Sequence, residues 1–236
     1  MSSRGSSYRH ELKYMISTKE SALLKQKLEQ ILPKDQNAVG GGYHIRSLYF
    51  DDLFESAYED KMAGIESRKK YRIRIYNYSD RQIRLECKHK EGQYIKKETM
   101  SLTKDEAQAL IGGDPGFLME KKDPLGVRFY MEHLQNRLHP SVIVDYDRIP
   151  FVYPYGNVRI TFDSDVRAGV FVDDLFDMNL PVMQVMEWDK LILEVKYTEY
   201  LPELVRCMLP VADSAYIAYS KYTMCLEKKK ELSTGF

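Results

Sequence analysis

No apolar run in this sequence comes near the ~20 residues that a bilayer-spanning helix requires, and the opening MSSRGSSYRH is polar where a secretory signal would be apolar. Cysteine is scarce. Cys87, Cys207 and Cys225 are odd in number and show no C-x-x-C spacing, which argues for a reducing, cytoplasmic setting and against a disulfide framework or a structural zinc site. An excess of either charge is also missing: 35 Lys and Arg cancel 35 Asp and Glu, whereas nucleic-acid binders carry net positive charge or a basic tail. No linker, repeat or low-complexity tract divides the chain, so 1–236 reads as one domain. Gly40-Gly41-Gly42 is a plain loop and not a phosphate loop, since no Lys-Ser/Thr follows it on a helix. The five histidines, His10, His44, His89, His133 and His139, fall into no metal-ligand or triad spacing and read as surface or packed residues.

Helix signals are few. Ser17-x-x-Glu20 is a capping box that opens an amphipathic run to about Leu32, closed by Pro33. Thr103-x-x-Glu106 opens a shorter helix that ends at Gly112-Gly113. Further helices are expected at about 126–138, 203–208 and 214–229, with a short turn of helix over 52–60. Between them lie eight β-branched and aromatic segments: Tyr8–Ile16, His44–Phe50, Lys70–Tyr76, Gln82–His89, Tyr94–Leu102, Ser141–Phe151, Val158–Asp163 and Leu191–Tyr197. The class this predicts is α+β, mostly β: an antiparallel eight-stranded sheet or closed barrel with helices packed outside.

The chemistry lies in the alternation. Arg9, Glu11 and Lys13 share one face of the first strand, Arg72 and Arg74 one face of KYRIRIY, and Arg84, Glu86, Lys88 and Lys90 one side of RLECKHK. Tyr146 aligns with Arg148, Arg159 with Thr161 and Asp163, and Glu194 with Lys196. Each opposite face is apolar. Taken singly, each strand reads as half-buried with one wet side. Taken together, they repeat arginine or lysine on one face while amphipathic helices stand ready to cover the other. That pattern predicts a barrel with a charged lumen. Facing cations repel and resist desolvation, so the lumen fits a polyanion, which arginine grips bidentately and lysine by point charge. Isolated carboxylates among them serve either as ion-pair partners or as oxygen ligands for Mg²⁺ or Mn²⁺.

Asp145, Asp147, Asp163 and Asp165 form two D-x-D pairs, read as strand-end ion pairs with Arg148 and Arg159 rather than a second metal site. Lys228-Lys229-Lys230 reads as a solvated helix end, the eighteen tyrosines as barrel-wall packing, and Trp188 as a partly buried anchor without a functional role.

In order and spacing, YRHELKY, IRSLYFDD, KYRIRIY, LECKHKEG, VIVDYDRIPF, VRITFDSDVRAG, LILEVKY and YSKYTMC, from Tyr8 to Leu226, resemble the VTC domain, the polyphosphate polymerase module of the triphosphate tunnel metalloenzyme superfamily. The resemblance implies an eight-stranded antiparallel tunnel. In it a nucleoside triphosphate, typically ATP, passes its terminal phosphate to phosphate, pyrophosphate or a polyphosphate chain, assisted by Mn²⁺ or Mg²⁺. It assigns Arg72 and Arg74 to the triphosphate, Lys88 to the next strand with His89 or Lys90 near it, and Lys97 as a further basic contact. Tyr146 and Arg148 match a Tyr-x-Arg pair, Arg159 the arginine after it, Ser220 and Lys221 a Ser-Lys pair, and Lys13 the first-strand lysine. Lys196 joins the phosphate-binding set. Glu194 matches the metal-binding glutamate, and Glu11 and Glu86 are further candidate ligands. Arg72, Arg74, Lys88, Arg148 and Lys221 carry the expected catalytic role.

Two departures matter. Hydrolytic members have Glu-x-Glu-x-Lys on the first strand, where this chain has Arg9-x-Glu11-x-Lys13, and that favours the polymerase branch. Fungal polymerases have a further lysine shortly before the Ser-Lys pair, where Ala218 stands here. With no sensing domain and no membrane segment in view, the resemblance implies a free-standing bacterial form. Three functions share such a lumen: a polyphosphate-forming transferase, a metal-dependent triphosphatase or polyphosphatase, and a non-catalytic module that binds polyphosphate or an inositol phosphate. Oligomeric state stays open.

Overall fold

A computed structural model describes residues 10–32, 41–92, 94–153, 155–172, 174–209 and 220–234. Both capping boxes form. Ser17 and Thr103 each accept a hydrogen bond from the backbone N–H of Glu20 and Glu106, whose carboxylates accept the cap residue's own N–H. Ser17 therefore ends β1 (His10–Ser17) and starts α1 (Thr18–Ile31). There follow β2 (Tyr43–Asp51), α2 (Ser56–Met62), β3 (Ser67–Tyr76), β4 (Ser79–Glu91), β5 (Tyr94–Leu102), α3 (Lys104–Ile111), α4 (Leu118–Lys121), α5 (Pro124–Asn136) and β6 (His139–Tyr153). A single 3₁₀ turn leads to β7 (Val158–Gly169), β8 (Val182–Gln184), β9 (Lys190–Tyr197), α6 (Glu203–Arg206) and α7 (Lys221–Thr234). All eight expected strands are present. The three-residue β8 and four-residue α4 are too short to leave a periodic signal. Asn77 and Tyr78, both at positive φ (50° and 56°), make the tight β3–β4 hairpin turn whose twist matches its strands.

Every strand pairing is antiparallel, in the order β1-β9-β7-β6-β2-β3-β4-β5, with β8 on β7. Among the described residues β1 and β5 are the free ends, so backbone hydrogen bonds do not close the sheet. It nevertheless curls into a tunnel. Lys88 on β4 meets Glu11 on β1 at 2.8 Å, although β9, β7, β6, β2 and β3 separate those strands in the sheet order. Only strong coiling brings such distant strands together.

The apolar faces point outward. Ile73, Ile75, Leu85 and Cys87 are buried under Leu110, Leu118, Leu125 and Phe129 of α3, α4 and α5. On the other flank Ile16, Phe162 and Leu193 are buried with Leu24 and Leu28 of α1. One helix departs from the outside arrangement. Tyr222, Cys225 and Leu226 of α7 are buried with Ile45, Val142, Val144 and Tyr146, on the same side of the sheet as the charged residues. Leu226, 4% exposed, contributes about 1.5–3 kcal/mol by leaving water, and contacts of this kind hold α7 over the tunnel. The basic end of α7 is docked as well: Lys229 donates to the Ser141 carbonyl and Lys230 pairs with Glu55. Trp188, expected to be partly buried, is 86% exposed.

Candidate functional site

Register sets the inner face. Ser47 and Tyr49 of β2 stand opposite Arg74 and Arg72 of β3, and Arg72 stands opposite Glu86 of β4. Arg148 of β6 faces Asp163 of β7, and Lys13 of β1 faces Glu194 of β9. Side chains two apart on a strand share a face, so the expected charged set converges on one lumen. Arg9 and Ala218 lie outside the described residues.

Three buried carboxylate centres organise it. Glu86, 1% exposed, accepts from Arg72 Nε and Nη2 at 2.8 and 2.6 Å and from Lys97 Nζ at 2.9 Å. Burial pushes its carboxyl up, but Arg72, Arg74 and Lys97 outweigh that and hold it well below the carboxylate range. The third arm of Arg72 donates to the Tyr49 hydroxyl at 2.8 Å, while Arg74 donates to Ser47 Oγ and the Tyr146 hydroxyl. Both guanidiniums are thereby fixed in orientation before any ligand arrives.

Asp163, fully buried, takes Arg148 bidentately at 2.6 Å and Lys221 Nζ at 2.6 Å. Burial raises its pKa, and Arg148 and Lys221 more than reverse the effect. Lys221 begins α7, whose N-cap is Ser220: the Ser220 hydroxyl accepts the Thr223 N–H at 3.2 Å. The Ser-Lys pair thus brings both a cation and a helix N-terminus to the tunnel. Tyr146 stacks beneath both cations, its ring 5.2 Å from Arg148 and 4.7 Å from Lys221.

Glu11 and Glu194 form the third centre. They sit diagonally on β1 and β9, a relation that sets their backbones roughly 7–8 Å apart. Glu11 pairs with Lys13 and Lys88, each at 2.8 Å, and Glu194 pairs with Lys196. Burial and the Glu194 charge push Glu11 up, yet Lys88, Lys13 and Lys196 hold it below the usual range. Glu194 is likewise kept ionised against burial by Lys196, Lys13, Lys221 and Arg148. Lys88 is pushed down to about 8, by burial first and then by Lys13 and Lys196 against the opposing pull of Glu11. Arg159 completes the wall by donating to the Tyr43 hydroxyl at 2.9 Å.

Glu11 and Glu194 supply the hard oxygen donors that Mg²⁺ or Mn²⁺ prefers. Among the described residues no three carboxylate, histidine or cysteine side chains gather into a ready cage. Two carboxylates suffice for a cation that shares its shell with phosphate oxygens and water. Glu86, also a candidate, has its oxygens ion-paired by Arg72 and Lys97, as Glu11 has by Lys13 and Lys88.

Asp163 is a deep ion-pair partner rather than a strand-end one. Asp145 lies on the outer face, where it holds the buried Arg46 through two 2.8 Å bonds and not Arg148 or Arg159. The sequence motifs do not single out Lys70, Arg68 or Lys61. Lys70 and Arg68 continue the parity of Arg72 and Arg74 backward into a strand that begins at Ser67, so extending the alternation by two pairs would have found them. Lys70 lies 3.5 Å from Ser220 Oγ and 4.2 Å from the Tyr222 ring.

Comparison with solved structures places the fold. A candidate adenylyl cyclase from Hippeastrum with a dominant triphosphatase activity matches with a TM-score of 0.54 at 12% identity, over 94% of this chain and 96% of that one. A candidate adenylate cyclase from Bacillus halodurans matches with a TM-score of 0.50 at 14% identity, over 89% and 96%. The curled sheet is thus the triphosphate tunnel fold. No curated protein matches the sequence. The family model for the VTC domain matches residues 8–229, and with nearly the whole chain covered, this protein belongs to the VTC domain family.

Proposed function

We propose that this single domain is a polyphosphate-forming phosphotransferase, working in the cytoplasm, that moves the terminal phosphate of ATP onto phosphate or a polyphosphate chain. The observation that supports transfer over hydrolysis is the state of the tunnel carboxylates. Glu11, Glu86, Asp163 and Glu194 are each ion-paired and held ionised, so none is a good base for deprotonating water. An acceptor phosphate is already ionised and needs no such base. Transfer then depends on alignment and on neutralising the equatorial oxygens. Arg72 and Arg74 grip the triphosphate, and Arg148, Arg159 and Lys221 neutralise charge from the facing wall. Lys13, Lys88 and Lys196 keep Glu11 and Glu194 ionised for the divalent cation, which supplies charge neutralisation on the phosphates when bound. Lys90, Lys97, Tyr146 and Ser220 complete the phosphate contacts, the last at the N-terminus of α7.

Incubation of the protein with ATP and Mn²⁺, followed by ³¹P NMR, tests this reading. A growing mid-chain polyphosphate signal with ADP is expected. Orthophosphate with ADP and no polymer would replace the reading with a triphosphatase, which the activity of the Hippeastrum protein favours. Intact ATP with bound polyphosphate would leave a binding module.

Binding is also expected to take up a proton. In the free tunnel Lys70 sits well below the ordinary lysine range, through burial first, then Arg68 and Lys88, with Asp51 opposing and Lys61 adding to the fall. The Ser220 hydroxyl and Tyr222 ring complete its surroundings. A polyanion favours the charged amine, so the complex binds the extra proton and affinity falls as pH rises. Calorimetry of long-chain polyphosphate binding in buffers of differing ionisation enthalpy reads this uptake, and Lys70→Met should reduce it. Equal uptake in the variant would refute the assignment.

A further inference from the structure

The ladder between β3 and β4 carries four inner-face rungs: Arg74/Arg84, Arg72/Glu86, Lys70/Lys88 and Arg68/Lys90. Only one of the four joins opposite charges, although like charges directly opposite destabilise a sheet. The cations near Arg72 are nonetheless compensated, because Glu86, Glu11 and Asp163 pair with Arg72, Lys88 and Arg148. Past Lys88 direct ion pairing stops. Lys70, Arg68 and Lys90 have no carboxylate within ion-pair distance among the described residues, and neither has Lys61, which α2 brings to the same end. All four are half-buried. Lys61 and Lys90 are both held below the lysine range, by burial first and then by Arg68, with Lys13 adding to it. Four cations packed together, offset only at longer range by Asp51, Asp60, Glu11 and Glu66, are unfavourable unless an anion joins them.

We propose that Lys61, Arg68, Lys70 and Lys90 form a second anion subsite, continuous with the triphosphate site, that holds the extension of a linear polyphosphate beyond its third phosphate. From the Arg74 rung to the Arg68 rung is six residues, about 20 Å at the rise of an antiparallel strand. Three linked phosphates do not reach that far, and a longer chain does. The division of labour follows from charge. The paired zone is rigid and selects geometry, whereas the unpaired zone offers net positive charge that any phosphate in sequence can satisfy. This inference rests on reading the tunnel as a polyphosphate site and adds where the chain runs.

Calorimetric titration with tripolyphosphate and with a longer linear polyphosphate, on the wild type and on the Lys61→Gln/Arg68→Gln double variant, tests it. The ratio of long-chain to tripolyphosphate affinity should fall about tenfold or more in the variant, as expected for lost charge-assisted contacts. The melting temperature should hold or rise, because repulsion has been relieved. Equal weakening of both ligands, or an unchanged ratio, would overturn the subsite while leaving the tunnel reading intact. A wild-type protein that binds neither ligand would overturn both.

Discussion

Glu194→Gln should tighten metal-free binding of tripolyphosphate while lowering Mn²⁺-dependent turnover by roughly 10²-fold, the scale of a disturbed metal site. The two effects have opposite sign for one reason. Glu194 is 5% exposed and stands among Lys196, Lys13, Lys221 and Arg148, which keep it ionised. Its charge repels a polyanion placed against those cations, so removing it should tighten binding by about tenfold, on the order of 1 kcal/mol for charges a few ångströms apart in a semi-polar site. In the proposed function the same carboxylate, with Glu11, holds a divalent cation on the phosphates. Glutamine keeps the shape and loses the charge. Binding constants without metal and kcat with Mn²⁺, measured on the same variant, separate the two roles. If affinity and turnover fall together, Glu194 acts only in packing and the metal assignment fails.

Most of the tunnel could be read from alternation because its strands obey period two without interruption. Arg72-Ile73-Arg74-Ile75 and Leu193-Glu194-Val195-Lys196 each declare a wet face and a dry one, and the register turns both wet faces inward. What stayed hidden depended on contacts between strands. Asp145 and Asp163 look alike in sequence, but Asp145 is out of parity with Tyr146 and Arg148 on its own strand and stands opposite Arg46, whereas Asp163 stands opposite Arg148. One holds Arg46 outside and the other holds Arg148 inside. The alternation marks β3 only from Lys70, whereas the strand begins at Ser67 and includes Arg68. Strand ends are weakly marked when a charged residue occupies every other position on a half-buried edge.

The side of the sheet that α7 covers is hidden for a different reason. The helix's apolar residues Tyr222, Cys225 and Leu226 fit a helix over either face of a sheet, and nothing local distinguishes the two. The inner face of β6 gives the answer. Val142 and Val144 continue the parity of Tyr146 and Arg148, so the lumen changes from charged to apolar along a single strand. The apolar half needs a cover, and α7 is that cover. Tyr222 donates to Asp51 and packs 5.0 Å from Tyr49, which sets the helix N-terminus, with Ser220 and Lys221, at the boundary between the halves.

That boundary makes Asp163 the most consequential single charge for stability. Asp163→Asn leaves Arg148 and Lys221 in place, the former 8% exposed, without their ion-pair partner and with only the longer-range charge of Glu194 to offset them. Breaking a buried ion pair from one side costs about 3–5 kcal/mol, which for a chain of this size lowers the melting temperature by on the order of 10 °C. Lys221 is the first residue of α7, so the loss reaches the helix that covers the tunnel. Tripolyphosphate should restore much of the lost stability, because its oxygens replace the missing carboxylate and binding to the folded state alone raises the melting point. Thermal melts of the wild type and variant, with and without tripolyphosphate, are the check. The variant should gain more from the ligand than the wild type does. A variant that melts within about 1 kcal/mol of the wild type, or gains no more from tripolyphosphate, would show that Arg148 and Lys221 do not depend on Asp163 for their place in the tunnel.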